Sequence, residues 1–312
     1  MFVVRPIYSC FVTIMRSPVA EHLIRQRVTA LGRALPAARE GDVTSLHQAR
    51  VATRRLRAAL PLIASSRKVD KLARPVRRLT RALGPVRELD VALLILDDLE
   101  TAEEVPRAAI QRLRTAIAEE RQRLHAELRH RLEEFDVEKL RKRAIAAARK
   151  EEARASKRAG DPERAATARA RTARRAGRLE VAIDNAAGLY LPDRLHDVRI
   201  AVKKLRYMME LVQSMSGSRA TARIRTLKSA QDLLGRMHDL EVLIARTRSL
   251  QSSPGASTLK VSADLDRLVR RLETECRQLH AHYMTSRKTL LVLCHRLTAR
   301  GAEEARTRTS AA

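Results

Sequence analysis

His47-Gln48-Ala49-Arg50-Val51-Ala52-Thr53-Arg54-Arg55-Leu56-Arg57 returns 149 residues later as His196-Asp197-Val198-Arg199-Ile200-Ala201-Val202-Lys203-Lys204-Leu205-Arg206. Both copies place cations three, seven, eight and ten residues after a histidine. At roughly 100° per residue, Arg50, Arg54 and Arg57 fall within about 80° of His47 on one side of a helix. Arg199, Lys203 and Arg206 draw the same stripe beside His196. Leu56 and Leu60, like Leu205 and Met209, point the opposite way and predict a core face.

A second pair of segments follows the first. Leu83-Gly84-Pro85-Val86-Arg87-Glu88-Leu89 matches Leu234-Gly235-Arg236-Met237-His238-Asp239-Leu240 at an offset of 151. In that register Arg74 meets Arg225 and Arg77 meets Lys228, while Arg74, Arg77 and Arg81 form another single stripe. Two copies of one helical unit in tandem are implied.

The rest of the chain fits helices. Gly and Pro number only ten each, and long Ala/Leu/Arg/Glu segments carry helical periodicity with almost no strand signal. Helices are predicted near 20–39, 44–64, 68–83, 86–100, 104–134, 137–159, 163–188, 193–215, 219–234, 238–250 and 258–299. Pro61 should kink or end its helix, and Ser252-Ser253-Pro254-Gly255 should turn. The organisation expected is a loose extension over 1–19, a first repeat over 20–140, a basic helical connector over 141–178, a second repeat over 179–300, and a disordered tail over 301–312. The connector holds fourteen Lys/Arg against four Asp/Glu. It reads either as a solvated linker, broken near Gly160-Asp161-Pro162, or as a flanking anion-binding arm.

Charge narrows the function. With 63 Lys+Arg against 36 Asp+Glu, the 312 residues carry a formal +27, yet 45% are hydrophobic, so the chain is globular. Self-repulsion of that size calls for a polyanionic partner. Aromatic residues make up 2% of the chain and Trp is absent. That argues against single-stranded nucleic acid, where base stacking contributes about 1–3 kcal/mol per base. A ligand made of phosphate alone needs no stacking. Ala49 to Lys68 contains no acid, whereas a solvated helix intersperses Glu, as Glu119, Glu120, Glu127, Glu133 and Glu134 do. Stacked like charges weaken a helix. Their duplication in both halves points to a binding stripe.

Cys10, Cys276 and Cys294 show no CxxC spacing, which suggests neither a disulfide framework nor a zinc site and fits a reducing cytoplasm. The opening Met1–Met15 stretch is broken by Arg5 and Pro6, so Met15 is read as the start. No apolar run reaches the roughly 20 residues of a membrane span.

These motifs closely resemble the CHAD family, the conserved-histidine α-helical domain. The resemblance rests on both histidine-led stripes and on Leu83–Val91 with its second-half counterpart, and covers about residues 20–300. It implies an all-α fold of two tandem antiparallel four-helix bundles related by a pseudo-twofold, with basic faces lining a shared central groove or channel. It further implies binding of inorganic polyphosphate, at polyphosphate granules. The contacts implied are His47, Arg50, Arg54, Arg55, Arg57 and Arg77, with His196, Arg199, Lys203, Lys204, Arg206 and Lys228 from the second half. Arg74, Arg81 and Arg225 are secondary candidates. The chain departs from the family at Glu88, where Asp is common, and at the looser Arg236–Asp239.

No Gly-Lys pair exists, so there is no P-loop, and no glycines are spaced for a dinucleotide fingerprint. His280 and His282 lie about 200° apart on a helix and cannot share a metal. The stripes offer cations without the carboxylate cluster or nucleophile that phosphoryl transfer needs. The expectation is therefore a binding protein with no enzymatic activity, no metal and no cofactor. The alternatives are a nonspecific nucleic-acid-binding protein, or an accessory module to a polyphosphate-metabolising enzyme.

Overall fold

The computed structural model describes residues 18–63, 66–101, 106–157, 161–186, 188–216, 220–252 and 259–309. Residues 1–17 of the expected extension, with its start at Met15, lie outside these residues, as do most of the predicted turn at 252–255 and the break at Gly160. The elements are α1 (Pro18–Arg39), α2 (Val43–Ile63), α3 (Ser66–Glu100), α4 (Arg107–Glu133), α5 (Val137–Lys157), α6 (Asp161–Ala186), α7 (Pro192–Ser216), α8 (Thr221–Gln251) and α9 (Leu259–Thr309). The described residues contain no strand.

The all-α class expected from the sequence is what the structure shows, with packing that exceeds two bundles side by side. One outer core joins α1, α2, the first half of α3, the last turns of α4, and α5, around Ile24, Leu31, Leu56, Leu83 and Leu132. Another joins α6, α7, the first half of α8 and the second half of α9, around Ile183, Val202, Leu227 and Tyr283. Between them the far halves of α3 and α8 meet the near halves of α4 and α9, burying Leu89, Leu96, Leu113, Leu243 and Leu272. The long helices thus serve two cores each.

Two helix pairs expected as separate are single. α3 runs unbroken through Pro75 and Pro85, and α8 through Gly235. A proline inside a helix costs about 3 kcal/mol. Leu83, Val86 and Leu89, all buried around Pro85, supply core packing that offsets that cost. α2 ends at Ile63, two residues past Pro61.

The 141–178 tract also contributes to both outer cores. Ala144, Ile145 and Ala148 of α5 enter the first core, and Ala176 of α6 enters the second. Alanines at helical spacing make a narrow apolar stripe that the charge count hides, and small side chains let helices approach closely. Gly301 shows the same closeness from α9, where a Cβ would stand 2.6 Å from that of Ala173 on α6. α9 also continues to Thr309, into the segment expected as a disordered tail.

Local turns position the site helices. Gly41 takes a φ of 89° that other residues adopt rarely, and turns the chain between α1 and α2. Asp42 then caps α2 by accepting the Ser45 N–H at 2.7 Å. His47, one turn further, begins the basic stripe.

Candidate functional site: a cation cluster shared by both halves

The two stripes meet where α2 packs against α7. Arg50 and Arg54 of α2 are electrostatic neighbours of Arg199 and Lys203 of α7. This four-cation group is built equally from the two repeats. Arg50 lies along α3, donating from Nη1 to the Thr80 carbonyl at 3.1 Å. Gly84 allows this approach, since a Cβ there would stand 3.2 Å from Arg50 Nη1. In the second repeat Gly235 occupies the same place beside Arg199 Nε, with more room at 4.0 Å.

Burial and mutual repulsion strain the group's protonation. Arg50 is pushed down to about 10, first by burial and then by Arg54 and Arg199. Lys203, only 7% exposed, is pushed down to about 6 by burial, with Arg199, Arg54 and Arg50 adding to it. Asp239 lies 3.9 Å from Arg199, and burial raises its own carboxyl above the usual carboxylate range, while Glu88 is a weaker counter-charge to Arg50 and Arg199. The cluster therefore holds excess positive charge in a partly dry setting, where an anion interacts more strongly than in water.

The histidines flank it. His47 is exposed, and burial followed by Arg87, Arg54 and Arg50 keeps its imidazole below the ordinary value. His196 is lowered by burial, then by Arg199 and Lys203. Its Nδ1 lies 3.4 Å from Nδ1 of His238, with ring centroids 4.7 Å apart. His238 is pushed down to about 4, by burial first and then by Arg199, His196 and Lys203.

The remaining candidates disperse along the two helices. Arg57 joins Arg77 and Arg81 of α3 in a second cationic group continuous with Arg54. Arg77 also lies 3.7 Å from the exposed Asp70. Arg206 is engaged within the protein, donating to Glu210 and, at 2.9 Å, to Gln231. Arg55 stands 4.0 Å from Glu210. Lys204 is exposed on the side of α6, where its carbonyl accepts from Arg175 at 2.6 Å. Lys228 and Arg74 are exposed on α8 and α3. Arg225 lines a groove between α8 and α9 with Thr226, Ser229, Ser286 and Thr289, away from the α2–α7 contact.

Arg87, His238 and Asp239 escaped the sequence reading as site residues. Arg87 and His238 hold the same register in the second repeated motif, and each faces the histidine of its own half. That shared register was the available signal. Glu88, by contrast, ties the halves together. Arg246 of α8 donates to Glu88 at 3.3 Å and to Glu120 of α4 at 2.5 Å. Asp90 beside it is buried and accepts from Arg121 of α4 at 2.6 Å. Among the described residues no His, Cys, Asp and Glu side chains gather as a metal-holding group, and no helix is long and apolar enough to cross a membrane.

Fold and site together define a helical protein made of two repeats that presents cations of both at one contact. The chain belongs to the CHAD family, whose CHAD domain model matches residues 22–248. Solved structures agree in fold. The crystal structure of the CHAD domain from the plant Ricinus communis is 21% identical, covering 89% of this chain and 91% of its own, with a TM-score of 0.59. PptA from Streptomyces chartreusis is 18% identical over 87% of this chain and 98% of its own, also with a TM-score of 0.59. No curated protein matches. The family match stops at 248, while α9, beyond it, completes the second outer core.

Proposed function

We propose that this chain binds inorganic polyphosphate across the α2–α7 contact and does not transform it. The observation that carries the reading is the Arg50, Arg54, Arg199 and Lys203 group, in which each repeat supplies two basic side chains whose mutual repulsion a bound anion would relieve. Folding alone gives no reason for the arrangement, since burying like charges together opposes stability. A chain of phosphates bridges all four and continues toward Arg57, Arg77 and Arg81. Of the nearby carboxylates, Glu88 and Asp90 hold helices together and Asp239 lies 3.9 Å from Arg199, an arrangement suited to binding. Residence in the cytoplasm at polyphosphate granules, alone or beside a polyphosphate-metabolising enzyme, is consistent with that role.

Competition against nucleic acid tests it. Counterion release favours any polyanion. A thin, flexible phosphate chain is contacted from several sides, whereas a duplex is too wide to enter between helices. At matched phosphate concentration and near-physiological salt, long-chain polyphosphate should displace labelled DNA at least about tenfold better than unlabelled DNA does, a difference of ~1.4 kcal/mol. Equal competition, or DNA winning, replaces this reading with nonspecific nucleic-acid binding.

A further inference from the structure

The two ends of the basic track are not equivalent, although the repeat makes their frameworks alike. Arg27 of α1 donates to the Arg55 carbonyl at 2.7 Å, and Arg175 of α6 donates to the Lys204 carbonyl at 2.6 Å. Arg55 and Lys204 hold the same place in the repeated stripe. What lies beyond them differs. Near Arg55 stands Glu210, which also pairs with Arg206, and Gln231 takes another donor of that arginine. The cations at the α7 C-terminal end are thus already countered. The residue of α2 in register with Glu210 is Pro61, which has no carboxylate, and there Arg171 of α6 donates to the Pro61 carbonyl at 2.9 Å.

α6 adds more cations at that open end. From Arg164 to Leu179 it carries no acid, and Arg171, Arg174, Arg175 and Arg178 follow helical spacing. Like charges one turn apart destabilise a helix. A structural role accounts for half the row: Arg171 satisfies a carbonyl in the last turn of α2, and Arg175 docks α6 on α7. Arg174 and Arg178 are exposed and have no such bond among the described residues. They face the same neighbourhood electrostatically, with Arg171 lowered by burial and then Arg174, and Arg175 by burial, Arg171 and Arg178.

We propose that the anion track has one open end, running from the central cluster past Lys204 onto the Arg171–Arg174–Arg178 row of α6, and that Glu210 closes the other. The proposal rests on the polyphosphate reading above. The row spans about 10 Å along α6, from seven residues at ~1.5 Å each. Only a ligand longer than the central cluster reaches it, so the row distinguishes long chains from short ones. Glu210 acts as an internal stand-in for a phosphate, competing for Arg206 and Arg55.

The test uses the full chain with two probes, tripolyphosphate and a polyphosphate of roughly a hundred units, at low salt where phosphate contacts are strongest. Arg174→Gln with Arg178→Gln should weaken the long chain at least about fivefold and leave tripolyphosphate within about twofold, on the contact scale of counterion release. Lys142→Gln with Arg143→Gln removes the same charge from the exposed side of α5 and should do neither. Glu210→Gln should tighten the long chain and steepen its salt dependence by about one contact, while Glu133→Gln, a charge change at the far end of α4, should not. Equal loss for both probes, or a loss matched by the α5 control, overturns the open end. An unchanged Glu210→Gln overturns the closed one. Wild-type protein that binds neither probe sinks the proposed function itself, a result separate from these.

Discussion

Raising the pH should detach the ligand, and Lys203 should be the main reason. Its ammonium faces Arg199 on its own helix, Arg50 and Arg54 of α2, and Asp239 of α8, with His196 and His238 alongside. Held down to about 6, it is mostly neutral at physiological pH in the free protein. A bound polyanion favours the charged form and lifts it back toward the ordinary lysine value of about 10.4. Binding therefore takes up close to one proton across roughly pH 6.5 to 8.5, and affinity should fall about tenfold per pH unit, ~1.4 kcal/mol. Over that window the loss is about a hundredfold. His47 and His196, both lowered, and Asp239, raised, add to the trend mainly toward its acidic end. The sign for the unliganded fold is opposite. Between about pH 6 and 10 the unfolded chain keeps the Lys203 proton that the folded chain has lost, so stability without ligand rises with pH. Calorimetry in buffers of different ionisation enthalpy counts the protons directly. Lys203→Arg, with a charge that does not titrate here, should bind with a much flatter profile, while His47→Ala with His196→Ala should keep most of the slope above about pH 7. If Lys203→Arg retains the full wild-type slope, or uptake near pH 7.5 is close to zero, the reasoning is wrong.

Salt provides a second measure. Arg50, Arg54, Arg57, Arg77, Arg81, Arg199 and Lys203 together predict that log K falls with log[salt] at a slope of roughly −5, taking about 0.7 per contact for a single strand; a slope shallower than about −2 would mean that the cluster is not the site. The paired glycines give a third. Gly84→Ala gains up to about 1 kcal/mol of helix propensity but crowds Arg50 off the Thr80 carbonyl, so it should stabilise less than Gly235→Ala and weaken polyphosphate binding. Gly235→Ala, with room beside Arg199, should stabilise without that loss. Identical binding by both variants would show that the Arg50 position does not matter.

The sequence by itself determined the helical class, the duplication and the identity of the two stripes. Those properties are local: helical periodicity sets Leu56 and Leu205 against Arg54 and Lys203 on any isolated helix. The repeat carried the central four cations, because both copies put them at the same offsets from a histidine. Pairing across helices is what only the tertiary structure decided. Nothing within α7 says that Glu210 at its C-terminal end would reach Arg55 of the other repeat, or that Arg206, identical in pattern to Arg57, would be taken by Gln231 and Glu210. Arg225 shares the register of Arg74, but the α8–α9 contact gives it a separate groove. The basic 141–178 tract shows the same division. Its charge is a local property, whereas the burial of Ala144, Ala148 and Ala176 depends on partners more than twenty residues away in the chain. A stripe's composition follows from spacing along one helix, and its availability to a ligand follows from what other helices bring against it.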